Sequence, residues 1–125
     1  MERIQTSNAP AAIGPYSQAI KANGMLFASG QIAINPETGN IVDGGIESQA
    51  HQVLTNIKNL VEAAGLSMCN IVKTTVFMTD ISDFATVNGI YAQYFQEPYP
   101  ARSAVGVKAL PKGALIEIEV IAAEK

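Results

Sequence analysis

One long amphipathic segment near the middle of the chain sets the strongest limit on how this sequence can fold. Its spacing predicts a helix with a single apolar stripe, and Gly65 supplies a C-terminal stop. Since the opposite face is polar, this helix needs a flat apolar partner, and we expect that partner to be a β-sheet. The apolar residues recur at three- and four-residue steps, at Ile46, Ala50, Val53, Leu54, Ile57, Leu60, Val61 and Ala64.

A β-hairpin is predicted before the helix. The dipeptide Asn23-Gly24 separates two strand-like runs, 17–22 and 25–29. This dipeptide is the strongest short signal for a two-residue turn between antiparallel strands. A cluster of Asn, Pro, Thr and Gly over 35–40 predicts a second reversal of the chain.

The second half of the chain predicts one more helix and three more strands. The β-branched residues over 71–78 indicate a strand. An amphipathic helix is expected over 83–96, and it ends before Pro98 because proline cannot continue a helix. Two final strands are expected over 102–108 and 115–122. The predicted order is therefore β-β-α-β-α-β-β, an α+β fold with two helices packed on one face of a mixed sheet.

Composition predicts one domain and an oligomer. A chain of 125 residues is close to the commonest size of a single domain, so we expect one domain over 1–125. Charged residues make up 15% of the chain, against a usual value of about 25%, and 48% of the residues are hydrophobic. Burial of part of this surface in a homo-oligomer would explain the low charge. The alternative is an alanine-rich domain with a polar, uncharged surface.

Several functions are excluded by charge and by shortages of particular residues. The net charge of -3, with lysines scattered singly, argues against nucleic-acid binding. One histidine, His51, and one cysteine, Cys69, cannot build a zinc site, and no glycine-rich phosphate loop is present, so no metal or cofactor is expected. We expect His51 to be solvated and Cys69 to be a buried thiol. The lone cysteine, together with the lack of an export signal or a long apolar run, predicts a cytoplasmic protein without a membrane segment.

The second of only two arginines is the most informative residue for function. Arg102 follows Pro100-Ala101 at the start of an apolar strand. A planar guanidinium in an apolar wall is a common grip for a small carboxylate, although composition alone favours a structural ion pair.

A carboxylate follows in the last predicted strand. Glu117 and Glu119 share one face there, because side chains alternate along a strand. If the last two strands form a hairpin with a four-residue loop, Arg102 lies on that same face, at roughly 13 Å from Glu117. A bulge or a second subunit would then be needed for one compact site. Strand alternation alone favours a simpler state, in which Glu117 points into solvent or pairs with Lys73 or Lys108.

Motifs along nearly the whole chain resemble the RidA (YjgF) family of imine deaminases. The resemblance implies a chorismate-mutase-like fold and a homotrimer whose active sites lie in clefts between neighbouring subunits. The segments that carry it are NAPAAIGPYSQ at 8–18, SGQ at 29–31, DFATVN at 83–88, PARS at 100–103, LPK at 110–112 and IEIE at 116–119.

Roles for individual residues follow from this resemblance. It implies that Arg102 binds the substrate carboxylate and that Glu117 positions a water. Ala104 stands where many members of the family have a cysteine, so a mechanism that depends on that thiol is not expected here. The segment between Asn88 and Arg102 is also shorter than in some members. The implied pocket is lined by Tyr16, Ser29, Gly30 and Asn88 and is completed by backbone groups around Ser103 and Ala104.

The reaction implied by the resemblance is hydrolysis of 2-imino acids. 2-Iminopropanoate and 2-iminobutanoate, released by pyridoxal-phosphate-dependent serine and threonine dehydratases, would become 2-keto acids and ammonia. Arg102 would fix the carboxylate and Glu117 would act as general base, without a cofactor. One alternative is a non-catalytic protein that binds small 2-keto or 2-imino acids. Another is an RNA-cleaving translation inhibitor, which the acidic charge disfavours.

Overall fold

Six strands and two helices make up the computed structural model, which describes all 125 residues. The helices are α1 (Gly45–Ala63) and α2 (Phe84–Tyr91). In chain order the strands are β1 (Glu2–Ile4), β2 (Ala19–Ala22), β3 (Met25–Ala28), β4 (Ile71–Met78), β5 (Ala101–Gly106) and β6 (Ile116–Ala123). They form one sheet in the order β1-β2-β3-β6-β4-β5, in which every neighbouring pair is antiparallel except β4 and β5.

The predicted hairpin is confirmed. Ala22 of β2 pairs with Met25 of β3, and the two residues between them, Asn23 and Gly24, have φ values of 53° and 74°. A two-residue turn with positive φ at both central positions matches the right-handed twist of the strands. Asn and Gly adopt this conformation at the lowest steric cost, which is why the dipeptide predicted the turn.

Helix α1 covers the sheet with the apolar stripe that its sequence predicts. Val53, Leu54 and Leu60 are fully buried. The backbone N–H of Gly65 donates to the carbonyl of Glu62 and closes the C-terminal turn of the helix. The α+β arrangement expected from the sequence is thus confirmed for this half of the chain.

One face of the sheet carries the core and the other is open. Along β6, Ile116, Ile118, Val120 and Ala122 are buried beneath the helices, and the residues between them point to the open face. On that open face Phe27 is 45% exposed. We therefore distinguish a helix face and an open face of the sheet.

The start of the chain was not predicted to be a strand, but it is one. Arg3 pairs with Ile20, so β1 extends the sheet beyond β2. Three residues are too few for a period-of-two pattern to be recognised in the sequence. The hydrogen bonds to β2 hold these residues in a strand, which the local sequence alone does not specify.

Helix α2 is shorter than the predicted segment 83–96. The chain enters it through a 3-10 turn, Ile81–Asp83, and leaves it after Tyr91. The N–H of Gln93 and that of Tyr94 bond to carbonyls three residues back. This tighter turn still directs Phe95 into the core, so the apolar spacing continues beyond the end of the α-helix.

The prediction of a final hairpin is wrong. β6 lies between β3 and β4 in the centre of the sheet, whereas β5 lies at the edge and runs parallel to β4. The physical reason is the crossover through α2, which returns the chain to the sheet in the same direction as β4. β5 and β6 therefore do not pair with each other.

Two side chains differ from their expected environments. Cys69 is exposed rather than buried, because the 3-10 turn Met68–Asn70 holds it on the outside of the fold. His51 is half-buried rather than solvated, and its Nδ1 lies 2.7 Å from the hydroxyl of Tyr94. Neither helix is long and apolar enough to cross a lipid bilayer.

Candidate functional site

The guanidinium of Arg102 is held against one side of α2. Its Nη1 donates to Oδ1 of Asn88 at 2.7 Å. Its Cζ lies 5.1 Å from the ring centre of Phe84 and 4.8 Å from that of Tyr91. These distances are within the range of cation–π contacts, so three side chains of α2 fix the direction of the guanidinium.

No carboxylate neutralises Arg102. The two ion pairs of the protein, Lys21–Glu124 and Lys58–Glu62, lie elsewhere, and the bond to Asn88 is the single hydrogen bond of the guanidinium. Arginine has five N–H donors in a planar fork. The structural ion pair that composition favours is therefore absent, and most donors remain available to an anion.

An open cleft of about 420 Å³ adjoins the guanidinium. This size suits a small molecule. Aromatic and other apolar groups surround the one positive charge, an arrangement that fits a carboxylate with a short apolar tail. The cleft is lined by Asn88, Tyr91, Ala92, Tyr99, Pro100 and Arg102.

Glu117 lies in a close-packed spot on the open face of the sheet. Its carboxylate sits directly against the backbone of Gly30, and a Cβ placed on Gly30 would lie 2.8 Å from Cδ of Glu117. Reciprocal backbone bonds between Gln31 and Ile118 hold the segment after Gly30 beside β6. A side chain at position 30 would therefore displace the Glu117 carboxylate from this place.

The environment of Glu117 favours its protonated form. Partial burial raises the pKa of the carboxyl above its ordinary value, and the negative charge of Glu119 on the same face raises it further. Neither Lys73 nor Lys108 forms an ion pair with it. Lys73 instead donates to Oγ of Ser103 at 2.9 Å. A carboxyl group with a raised pKa and no cation partner is a candidate for proton transfer.

Ser29 connects the loop that carries Tyr16 to this region. The Ser29 hydroxyl donates to the carbonyl of Ser17 at 2.6 Å, and its N–H donates to the carbonyl of Gln18 at 2.9 Å. Tyr16 is 53% exposed and borders a separate opening of about 490 Å³. Ser29 is thus bonded to the segment that follows Tyr16, whereas the opening that Tyr16 borders does not include Ser29, Gly30 or Glu117.

Arg102 and Glu117 lie on opposite faces of the sheet. Arg102 pairs with Thr74, which pairs with Val120 in the next strand, so these three side chains share the helix face. Glu117 is three positions from Val120 and points to the open face. The expectation that Arg102 shares the face of Glu117 is wrong, because it rested on the hairpin that does not form.

Ser103 and Ala104 flank Arg102 on the edge strand. The Ser103 side chain points to the open face, whereas Ala104 packs partly against the core. Since β5 pairs only with β4, the backbone groups along its other side are unpaired. A backbone cradle around these two residues stays a prediction.

Two residues that contact Arg102 were missed as site residues. Phe84 and Tyr91 were assigned from the sequence only to the apolar face of the helix. A signal was present, since Phe84, Asn88 and Tyr91 follow one another at steps of four and three residues. Such spacing puts side chains on one side of a helix.

Comparisons with known proteins identify related sequences and structures. The family model described as "Endoribonuclease L-PSP" matches residues 6–124. A RutC family protein of Pyrococcus horikoshii is 58% identical, over 97% of this chain and 96% of its own length. A Bos taurus protein named 2-iminobutanoate/2-iminopropanoate deaminase is 51% identical, over 97% of this chain and 88% of its own length. The crystal structure of Escherichia coli TdcF with bound serine is 48% identical, covers both chains completely and superposes with a TM-score of 0.94.

Proposed function

Since this chain belongs to the RidA/YjgF (endoribonuclease L-PSP) family, we propose that it hydrolyses reactive 2-imino acids to 2-keto acids and ammonia. The substrates are small, such as 2-iminopropanoate and 2-iminobutanoate, the compounds in the names of several close relatives. The observation that carries this proposal is the oriented guanidinium of Arg102, which has no carboxylate partner.

Arg102 binds the substrate carboxylate in this proposal. The donors not used by Asn88 make two parallel N–H···O bonds to the two carboxylate oxygens. This grip fixes C2 of the imine relative to the protein and reduces the entropy cost of the attack. The serine bound to the Escherichia coli relative also has an α-carboxylate, which is consistent with such a grip.

Glu117 activates the water. The ionised carboxylate takes a proton from the water as the water oxygen bonds to C2, and passes it to the imine nitrogen, giving a neutral carbinolamine with one hydroxyl and one amino group. Glu117 then takes the hydroxyl proton and gives it to the amino nitrogen, the C–N bond breaks, and ammonia leaves as the C=O bond forms. Atoms and electrons balance without an added reductant or oxidant, and Glu117 ends ionised as it began.

A homotrimer with sites between subunits is part of the proposal. Because Arg102 and Glu117 lie on opposite faces of one sheet, a site that contains both needs two copies of the chain. The half-exposed apolar side chains of the open face, Phe27 and Val105, and the low charge fraction support such an assembly.

The substrate comes from a reaction that releases an enamine or imine of a 2-keto acid. Pyridoxal-phosphate-dependent dehydratases acting on serine and threonine are reactions of this class, and we propose functional coupling to them. A cytoplasmic setting is proposed as well, and the free, exposed thiol of Cys69 is compatible with a reducing compartment.

A coupled assay tests the proposed reaction. A threonine dehydratase generates 2-iminobutanoate, and semicarbazide reports the imine that remains as the protein is added. Wild type should accelerate imine loss, and Arg102→Ala should lower kcat/KM by about 10²–10³-fold, because two charge-assisted hydrogen bonds are lost. Arg3→Ala, which removes the other arginine, should retain wild-type activity. Equal activity of Arg102→Ala and wild type would refute the assigned role.

The same preparations separate the alternative functions. A protein that only senses keto acids would bind 2-oxobutanoate in a calorimetric titration without accelerating imine loss. A ribonuclease would cleave RNA at a rate that follows the protein through successive purification steps. The acidic chain, with scattered lysines, offers little surface for RNA, so we expect no such activity.

A further inference from the structure

The Arg102 guanidinium rests on an aromatic ring that is itself anchored to the sheet. The Tyr91 ring centre lies 4.8 Å from Cζ of Arg102, and its hydroxyl is 2.8 Å from Oγ1 of Thr74. Thr74 is fully buried and is the β4 partner of Arg102 in the sheet. The Tyr91 side chain is therefore bonded through its hydroxyl to Thr74, the strand partner of Arg102, while its ring contacts the Arg102 guanidinium.

The rest of the Tyr91 environment also restricts the ring. Phe95 stacks against it with ring centres 4.4 Å apart, and Tyr91 itself is only 5% exposed. Burial raises the pKa of its phenol above the ordinary value of 10.0, so the ring stays neutral beside the guanidinium. A buried ring with its hydroxyl bonded and one face stacked has little freedom to rotate.

We propose that Tyr91 is a positioning residue for the carboxylate-binding arginine, and that its ring, anchored through Thr74, sets the direction of the Arg102 guanidinium. This inference rests on the proposed function. Tyr91 acts through Arg102 and takes no part in proton transfer. A long arginine side chain otherwise loses much rotamer entropy when it binds a ligand, and a ring that holds it in advance reduces this cost.

Substrate affinity is the property that should change. Tyr91→Leu should raise KM for 2-iminobutanoate by about threefold to thirtyfold, the range that a cation–π contact supports, and should leave kcat within about twofold. Tyr91→Phe keeps the ring but loses the bond to Thr74, so it should raise KM by less than Tyr91→Leu does. Tyr94→Leu is the matched control, because it removes a neighbouring ring that packs against His51 and not against Tyr91.

The spectrum of Arg102 gives a second readout. The chain has two arginines, so its ¹H–¹⁵N spectrum contains two Nε–Hε signals, from Arg3 and Arg102. The Arg102 signal should be displaced upfield by the rings of Tyr91 and Phe84 in wild type and in Tyr91→Phe. In Tyr91→Leu only the Phe84 ring remains, so the signal should move part of the way toward the position of Arg3.

Several outcomes would overturn the proposal. A wild-type KM in Tyr91→Leu, or an equal rise of KM in Tyr94→Leu, would show that the Tyr91 ring does not act through Arg102. An undisplaced Arg102 signal in wild type would refute it even if Tyr91→Leu failed to fold. If wild type did not accelerate imine loss, the proposed function would fail instead, and the spectrum would still test the ring contact.

Discussion

At the scale of single residues, the environment of Glu117 matters more than its identity. Glu117 and Glu119 are both acids on the open face of β6, but Glu117 is half-buried against Gly30 and Glu119 is exposed. Burial and the neighbouring charge raise the pKa of Glu117, so this carboxyl holds its proton to a higher pH than an ordinary glutamate. Glu117 and Glu119 therefore suit different roles, because their environments differ although their side chains are the same.

The pH dependence of activity follows from this shift. A general base must be ionised, so kcat/KM should fall as pH drops through the raised pKa of Glu117. Glu119→Gln removes one of the two causes of the shift and should move this acid limb to lower pH. Glu47→Gln, which removes an equal charge from the first turn of α1, should leave the limb in place. Coincident profiles for Glu119→Gln and wild type in the semicarbazide assay would contradict the prediction.

The sign of the stability effect is the reverse of that for a paired carboxylate. Because the folded-state pKa of Glu117 is raised, its contribution to stability is greatest below the ordinary pKa of 4.5 and declines as pH rises through the folded-state value. The carboxylate is thus least favourable to folding at the pH where it is ionised for catalysis. Such opposition between stability and activity is common at functional sites.

At the scale of elements, α1 does more than cover the sheet. Asn56 is fully buried in the middle of the helix, and its Nδ2 donates to the carbonyls of Ile32 and Ile34 at 3.3 and 2.9 Å. Its Oδ1 accepts a bond from Gln52. These bonds hold the segment that follows Gly30, and so connect the helix to the backbone against which Glu117 packs.

Loss of this connection should be costly. Asn56→Ala leaves buried carbonyls without a donor and should lower the free energy of unfolding by about 1–3 kcal/mol. Asn59→Ala, in the same helix, removes one bond to the exposed carbonyl of Asn8 and should cost less than about 1 kcal/mol. Urea denaturation of the two variants checks the difference, and equal midpoints would contradict the role given to Asn56.

At the scale of the whole molecule, the two faces of the sheet divide the candidate site. The helix face presents Arg102 with its cleft, and the open face presents Glu117 with Gly30. In the proposed site, a single chain therefore contributes two groups that point in opposite directions. Rotational symmetry between identical copies is the simplest way to bring unlike faces of one chain together in a closed ring.

Mixed assemblies test this division directly. Arg102→Ala and Glu117→Gln should each be inactive alone, but a site between subunits can take its arginine from one variant and its glutamate from the other. After unfolding and refolding at a one-to-one ratio, random trimers should regain about one quarter of the wild-type activity. Native mass spectrometry verifies that subunits have mixed. Mixed trimers without regained activity would show that the two residues do not serve one site across an interface.

The elements whose cause is local could be predicted from the order of the amino acids. The apolar stripe of α1, the Asn23-Gly24 turn and the β-branched run 71–78 each depend on spacing or on dihedral preference within a few residues. Arg102 and Glu117 were found through their rarity and setting, and their roles came from the family resemblance.

Strand pairing, and therefore which side chains meet, is set by contacts in the folded chain. A period of two assigns faces within β5 and within β6, but it does not relate one strand to the other, because pairing and register depend on contacts far apart in the chain. For that reason the sequence placed Arg102 and Glu117 on one face and missed both the contact of Glu117 with Gly30 and the ring of Tyr91 beside Arg102.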